Sequence, residues 1–174
     1  MVKLKSDYIV QYITSWLEDK YLYIQMELCS DNLKNILEIR HNVFERKPLE
    51  TMNAIEYYIM CRLFIEILEC VQYLHEHKPP VIHRDIKPHN ILINDHDING
   101  RFIKLCDFGL AKYQDMNTMQ TSKHSGTLKY MAPEVLNSGS YDWRSDIYSL
   151  SIIGQDLFET DFNASVFTIS LFHS

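Results

Sequence analysis

Apolar positions along the chain recur with two different spacings. Ile9, Val10, Tyr12 and Ile13 open a β-prone run that ends near Trp16 and Leu17, and Tyr21–Met26 forms a second one. The polar break Glu18-Asp19-Lys20 between them predicts a hairpin turn, although it lacks glycine. Leu33, Ile36 and Leu37 then stand at i, i+3, i+4 and predict a short helix over residues 31–39, capped by Ser30 or Asp31. Residues 40–51 are polar, contain Pro48 and read as a loop.

The clearest helical period follows. Ile55, Ile59, Leu63, Ile67, Val71 and Leu74 predict a long helix over residues 53–77. Asn53 and Glu56 have the spacing of a capping box, and Pro79-Pro80 stops the helix. Phe64, Leu68 and Cys70 widen the apolar stripe, which predicts burial inside a domain. Beyond the prolines, Ile91-Leu92-Ile93 and residues 102–106 predict a second hairpin across the polar turn 94–100. Residues 112–125 are rich in Gln, Thr, Ser and Met and read as an exposed loop. Helical spacing returns over residues 146–158, and residues 160–174 form an unassigned tail without a period.

Composition narrows the function classes. The chain has 174 residues, 46% hydrophobic and 23% charged, as expected of one globular domain or part of one. With 17 Lys+Arg against 23 Asp+Glu the net charge is −6, which disfavours nucleic-acid binding as the primary role. No apolar run is long enough for a membrane helix and the first residues lack a signal-peptide pattern, so the expectation is no membrane and a cytoplasmic location. Cys29, Cys61, Cys70 and Cys106 form no CxxC pair and lie in apolar runs, which predicts buried thiols in a reducing compartment. Asn163-Ala164-Ser165 matches a glycosylation sequon and, without a secretory signal, is read as accidental.

Three motifs carry chemistry: His83-Arg84-Asp85-Ile86-Lys87-Pro88-His89-Asn90, then Asp107-Phe108-Gly109, then Gly126-Thr127-Leu128-Lys129-Tyr130-Met131-Ala132-Pro133-Glu134. Phosphoryl transfer needs a carboxylate to accept a hydroxyl proton, oxygen ligands for magnesium and a cation on the moving phosphate. Asp85 suits the first role, Asn90 and Asp107 the second, and Lys87 the third. Closing the 91–106 hairpin would bring Asn90 and Asp107 together. His75-x-His77 lacks a third ligand at suitable spacing and reads as ordinary helix-end histidine.

In this order the motifs resemble the eukaryotic protein kinase family, and Lys87 resembles its serine/threonine branch. The resemblance implies an α+β fold, with the remnant of a small β lobe over residues 1–28 and a mainly helical lobe over 29–159. It implies Mg-ATP as phosphate donor, Mg2+ as cofactor, a protein substrate and a dimer with another kinase chain. Met26 would stand beside the adenine, backbone groups of Glu27 and Cys29 would bond its edge, Leu92 would floor the slot, and Asp31 would reach the ribose. His83 would pack structurally and Asp146 would brace the catalytic loop. Thr121, Ser122 and Ser125 are the candidate regulatory phosphorylation sites near Arg84, with Thr118 in the same loop, and Thr127 resembles the substrate-facing threonine. The segment Ile9 to Glu27, the loop after the first helix and the stretch Asp142 to Leu150 look similar to kinases that act on translation initiation factor 2 alpha.

The resemblance covers Ile9 to Phe158, the middle of a kinase domain. No GxGxxG loop, no strand lysine of the V-A-I-K type and no partnering helix glutamate occurs in the sequence, and Lys3 and Lys5 do not replace them. Exposed strand edges are expected as a result. The alternative reading is a catalytically inactive kinase-like fragment that acts as a binding or regulatory module.

Overall fold

The computed structural model describes residues 6–47, 50–95, 100–108, 111–113 and 128–160. Thr118, Thr121, Ser122, Ser125, Thr127, Gly109 and the tail from 161 onward lie outside them, as do Lys3, Lys5 and Asn163.

Strands β1 (Tyr12–Glu18) and β2 (Tyr21–Met26) form the expected antiparallel hairpin. Asp19 and Lys20 both take positive φ, 47° and 69°, which the tight two-residue turn demands even without glycine. Every residue of both strands is exposed. Trp16 stacks on Tyr23 with ring centroids 5.3 Å apart, on the surface of the hairpin. Ile9 and Val10 are not part of β1. They are buried, and Ile9 makes a parallel bridge to Leu105.

A three-stranded sheet follows from β3 (Asp31–Asn32), β5 (Ile91–Ile93) and β6 (Ile103–Leu105), all antiparallel, with β5 in the middle. Strand β4 (Val81–Ile82) pairs with β7 (Lys112–Tyr113). Helices α1 (Leu33–Val43), α2 (Ala54–Glu76), α3 (Pro133–Ser138) and α4 (Trp143–Phe158) and the short 3-10 helices Pro88–Asn90 and Leu128–Tyr130 complete the described elements. None of these helices is long and apolar enough to cross a membrane.

The main core sits where α2 and α4 cross beneath the β5–β6 hairpin. Met60, Ile67, Cys70, Val71 and Leu74 meet Ile153, Leu157, Ile91, Ile103 and Leu105 there. Gly154 permits the crossing, since a Cβ at that position would come within 3.3 Å of the Phe64 ring. The expected α2 stripe holds only in its second half. Ile67, Val71 and Leu74 are buried, whereas Ile55 is 69% exposed.

The helix ends correct several expectations. Asn32, not Ser30 or Asp31, caps α1, accepting from the Asn35 amide at 3.1 Å. Helix α1 also runs to Val43, past the point where polarity predicted a loop. Arg40 is buried there and donates to the carbonyls of Asp156 and Leu157 at 3.0 and 2.9 Å, so it serves the C-terminal end of α4. Asn53 caps α2 at 2.8 Å, but the Glu56 carboxylate does not return to it. It is fully buried against Arg46 at 2.9 Å instead. Helix α4 begins three residues earlier than expected, opened by a reciprocal Asp142–Ser145 box.

Glu159 ends α4 with φ of 51°, and its carboxylate meets Arg40, Arg46 and His41 at 2.7, 2.8 and 3.1 Å. Hydrogen bonding from Arg46 is the largest influence on this carboxyl, and it sits below its ordinary value. A depressed carboxyl contributes stability above the ordinary value near 4.5, and that contribution is lost as the pH falls through the folded value. Thermal midpoints should therefore fall more steeply below pH 4.5 in the wild type than in Glu159→Gln. Coincident acid limbs would show that the cluster contributes nothing.

Candidate active site

The first motif lies in the turn between β4 and the short 3-10 helix Pro88–Asn90. Asp85 is 8% exposed. Its Oδ2 accepts from Lys87 Nζ at 2.7 Å and from Asn90 Nδ2 at 3.0 Å, and the same Nδ2 donates to the Asp85 carbonyl at 2.8 Å. Asp85, Lys87 and Asn90 are thus one cluster. Both Asn90 bonds to Asp85 use its amide nitrogen, so its side-chain oxygen is the acceptor that remains for another group.

The hairpin closes as expected. The Cys106 amide donates to the Asn90 carbonyl at 3.0 Å, which sets Asp107 beside the 3-10 helix. Asp107 is exposed and takes φ of 62°, and Arg84 takes φ of 73°. Non-glycine residues at positive φ cost about 1–3 kcal/mol each and persist where surroundings enforce them. Here they flank Asp85 and Asn90 on both sides.

The enforcing residues lie behind the cluster. Asp146, 1% exposed near the start of α4, accepts the His83 amide through Oδ2 at 2.9 Å and the Arg84 amide through Oδ1 at 3.0 Å. His75 Nε2 reaches the same Oδ2 at 2.9 Å. His75 therefore belongs to the bracing network rather than to the helix end alone, a role that spacing did not reveal. His83 is fully buried, and burial pushes its imidazole below the ordinary histidine range, so the ring is neutral. Its Nδ1 accepts the Asp85 amide at 3.3 Å, which leaves Nε2–H to donate to the Cys106 carbonyl at 3.0 Å. One neutral ring thereby ties the Asp85 turn to the strand end before Asp107, and it packs on Phe108 at 5.0 Å.

Arg84 lays its guanidinium over the Tyr141 ring at 5.0 Å, with a buried Nε that has no hydrogen-bond partner among the described residues. Arg84, Asp85, Tyr130, Tyr141 and Asp146 line one small pocket beneath the third motif. Tyr130 donates to Asp156 at 2.8 Å, and Lys129 meets the same carboxylate at 2.5 Å.

The residues expected at the nucleotide base lie along the edge between hairpin and helical body. Met26 ends β2 and is 49% exposed, and Glu27 and Cys29 are half-buried. The Glu27 amide is spent on the Gln11 carbonyl at 2.9 Å, so only its carbonyl is left to face a ligand. Leu92 pairs with Asn32 and with Lys104 in the middle of the sheet. Asp31 turns one oxygen into the start of α1, accepting from the Asn32 amide and Asn35 Nδ2, both at 2.7 Å. Burial raises the thiols of Cys29 and Cys106, the latter to about 11, so both are protonated at neutral pH.

A family model described as the protein kinase domain matches residues 1–166. The chain belongs to the protein kinase family. It is 36% identical over 152 residues to serine/threonine-protein kinase dst1 of Dictyostelium discoideum, covering 87% of this chain and 18% of that protein. MAP kinase kinase MKK1/SSP32 of Saccharomyces cerevisiae is 37% identical over 150 residues, 85% of this chain and 27% of the relative. This kinase chain therefore spans well under half of the length of either relative. In the crystal structure of the yeast RNA Pol II CTD kinase CTDK-1 complex, one chain aligns with a TM-score of 0.67 at 24% identity, over 90% of this chain and 46% of that one. That likeness shows the kinase fold.

Proposed function

We propose that this chain is the catalytic core of a serine/threonine protein kinase, which transfers the γ-phosphate of ATP to a protein hydroxyl. The observation that carries this reading is the Asp85–Lys87–Asn90 cluster with Asp107 set beside it by the Cys106–Asn90 hydrogen bond. Among the described residues Asp85 Oδ1 accepts no hydrogen bond, so it suits the proton of an incoming hydroxyl. Lys87 neutralises Asp85 and carries a point charge to the phosphate.

The donor set fits magnesium, a hard cation that takes oxygen ligands. Asn90 Oδ1 and the exposed Asp107 carboxylate would hold it. When bound, Mg2+ offsets negative charge on the transferring phosphate. Met26, Glu27, Cys29, Leu92 and Asp31 would line the base and ribose.

Translation initiation factor 2 alpha is the substrate that the Ile9 to Glu27 and Asp142 to Leu150 segments support. The fully exposed β1–β2 hairpin supports a dimer with another kinase chain, and the four free thiols support a cytoplasmic setting. The same exposed hairpin favours the second reading, a binding or regulatory module. The deciding experiment incubates the chain with Mg2+, labelled ATP and that factor beside a generic basic protein. Label on serine or threonine, lost on chelation of Mg2+, supports the kinase reading, and preference for the factor supports the narrower one. No label on either protein moves the module reading into first place.

A further inference from the structure

Lys104 is buried where a lysine is not expected. Its neighbours on β6, Ile103 and Leu105, face the core and are fully buried. Strand alternation turns Lys104 to the opposite face, beside its cross-strand partner Leu92. A long cation there would ordinarily extend into water, yet Lys104 is 7% exposed.

Its cover is Glu27. The Lys104 ammonium donates to both carboxylate oxygens, at 2.9 and 3.1 Å. Glu27 Oε1 also accepts the Gln11 amide at 2.8 Å, and the Glu27 amide returns to the Gln11 carbonyl at 2.9 Å. The stretch before Gln11 is itself fixed on β6. Val10 donates to the Leu105 carbonyl and Leu105 to the Tyr8 carbonyl, each at 2.9 Å. One carboxylate thus gathers the residue that enters the β1–β2 hairpin, the residue that leaves it, and a strand of the helical body.

The position of this cluster gives it leverage. The hairpin is exposed along its whole length, so its setting is decided at its base. Both chain ends of that base, Gln11 and Glu27, meet at the Glu27 carboxylate, which the Lys104 ammonium holds. The pair also acts on the next residues. After burial, Glu27 raises the Cys29 thiol and Lys104 lowers it.

We propose that Lys104 is a positioning residue that acts through the Glu27 carboxylate to set the hairpin against the helical body and fix the backbone of residues 27–29. Its bearing on nucleotide binding rests on the kinase reading. Its bearing on the hairpin does not. Removing the ammonium leaves a carboxylate that must seek water, and the Gln11 amide then loses its acceptor.

Hydrogen exchange read by mass spectrometry on the full chain tests this without any nucleotide. Lys104→Met should speed exchange of amides in residues 12–29 roughly tenfold, while residues 67–74 of α2 keep their rate. Lys104→Arg, which keeps the charge, should restore at least half of the protection. Glu27→Gln should reproduce the Met variant from the other side of the pair. Unchanged exchange in both neutral variants overturns the proposal. So does a rise spread evenly over hairpin and α2, or outright unfolding of both variants, because each marks an ordinary structural pair. A wild-type chain that binds no Mg-ADP would remove the kinase reading and leave the exchange result standing.

Discussion

Asp85→Asn should reduce phosphate transfer to protein by roughly 10²–10⁴-fold, the usual contribution of a positioned general base. Asparagine has nearly the same shape and can still accept from Asn90. It cannot take a proton at neutral pH, and it no longer pairs as an anion with Lys87, 2.7 Å away in the wild type. The loss should fall on turnover. Adenine nucleotide affinity should change little, because the residues assigned to the base and ribose lie on the hairpin edge, the β5–β6 sheet and the start of α1. Transfer by the variant at the wild-type rate would remove Asp85 from the proton-accepting role. A large loss of nucleotide affinity would instead mean that Asp85 organises the binding site.

Asp146→Ala should be the most destabilising single change among the described residues. Its carboxylate takes the amides of His83 and Arg84 and faces His75, all in an environment where it is 1% exposed. Alanine leaves buried donors without acceptors and releases the strained Arg84 backbone, whose φ is 73°. Breaking a buried charged network of this kind costs about 3–5 kcal/mol. For a chain of this size that corresponds to a fall in thermal midpoint of roughly 10 °C. Asp146→Asn keeps one acceptor oxygen and should recover part of the loss. A midpoint within a degree or two of wild type for the alanine variant would show that the amides find other acceptors.

The clustering of Asp85, Lys87 and Asn90 was legible because their spacing is local. Asp85, Lys87 and Asn90 lie within one turn, and the short hairpin between Asn90 and Asp107 closes with little freedom. Turn and strand patterns also placed the β1–β2 hairpin and the long helix. What stayed hidden depends on partners far away in sequence. Arg40 looked like loop because it is polar, and only its bonds to carbonyls at the end of α4 explain why helix α1 continues through it. Glu56 had the spacing of a capping residue, but buried Arg46 claims its carboxylate. His75 gave no signal of its own, since its acceptor is Asp146 on another helix. Ile9 and Val10 have strand composition, yet the β6 edge takes them before β1 begins. Helix α3 is too short for a hydrophobic period, with Pro133 at its start and Gly139 at φ of 67° closing it.

The two tryptophans divide the molecule into separately observable parts. Trp16 stacks on Tyr23 on the outer hairpin, and Trp143 opens α4 with its ring edge toward His75, 6.4 Å away. Each indole is nearly half exposed, at 46% and 43%, so a small quencher reaches both. Their emission nevertheless reports different events. Light from Trp16 follows the hairpin and residues 27–29 at its base. Light from Trp143 follows the helix start where Asp146 holds the Asp85 turn. Intrinsic fluorescence can therefore distinguish loosening of the hairpin from loosening of the Asp85 turn, with no dye attached.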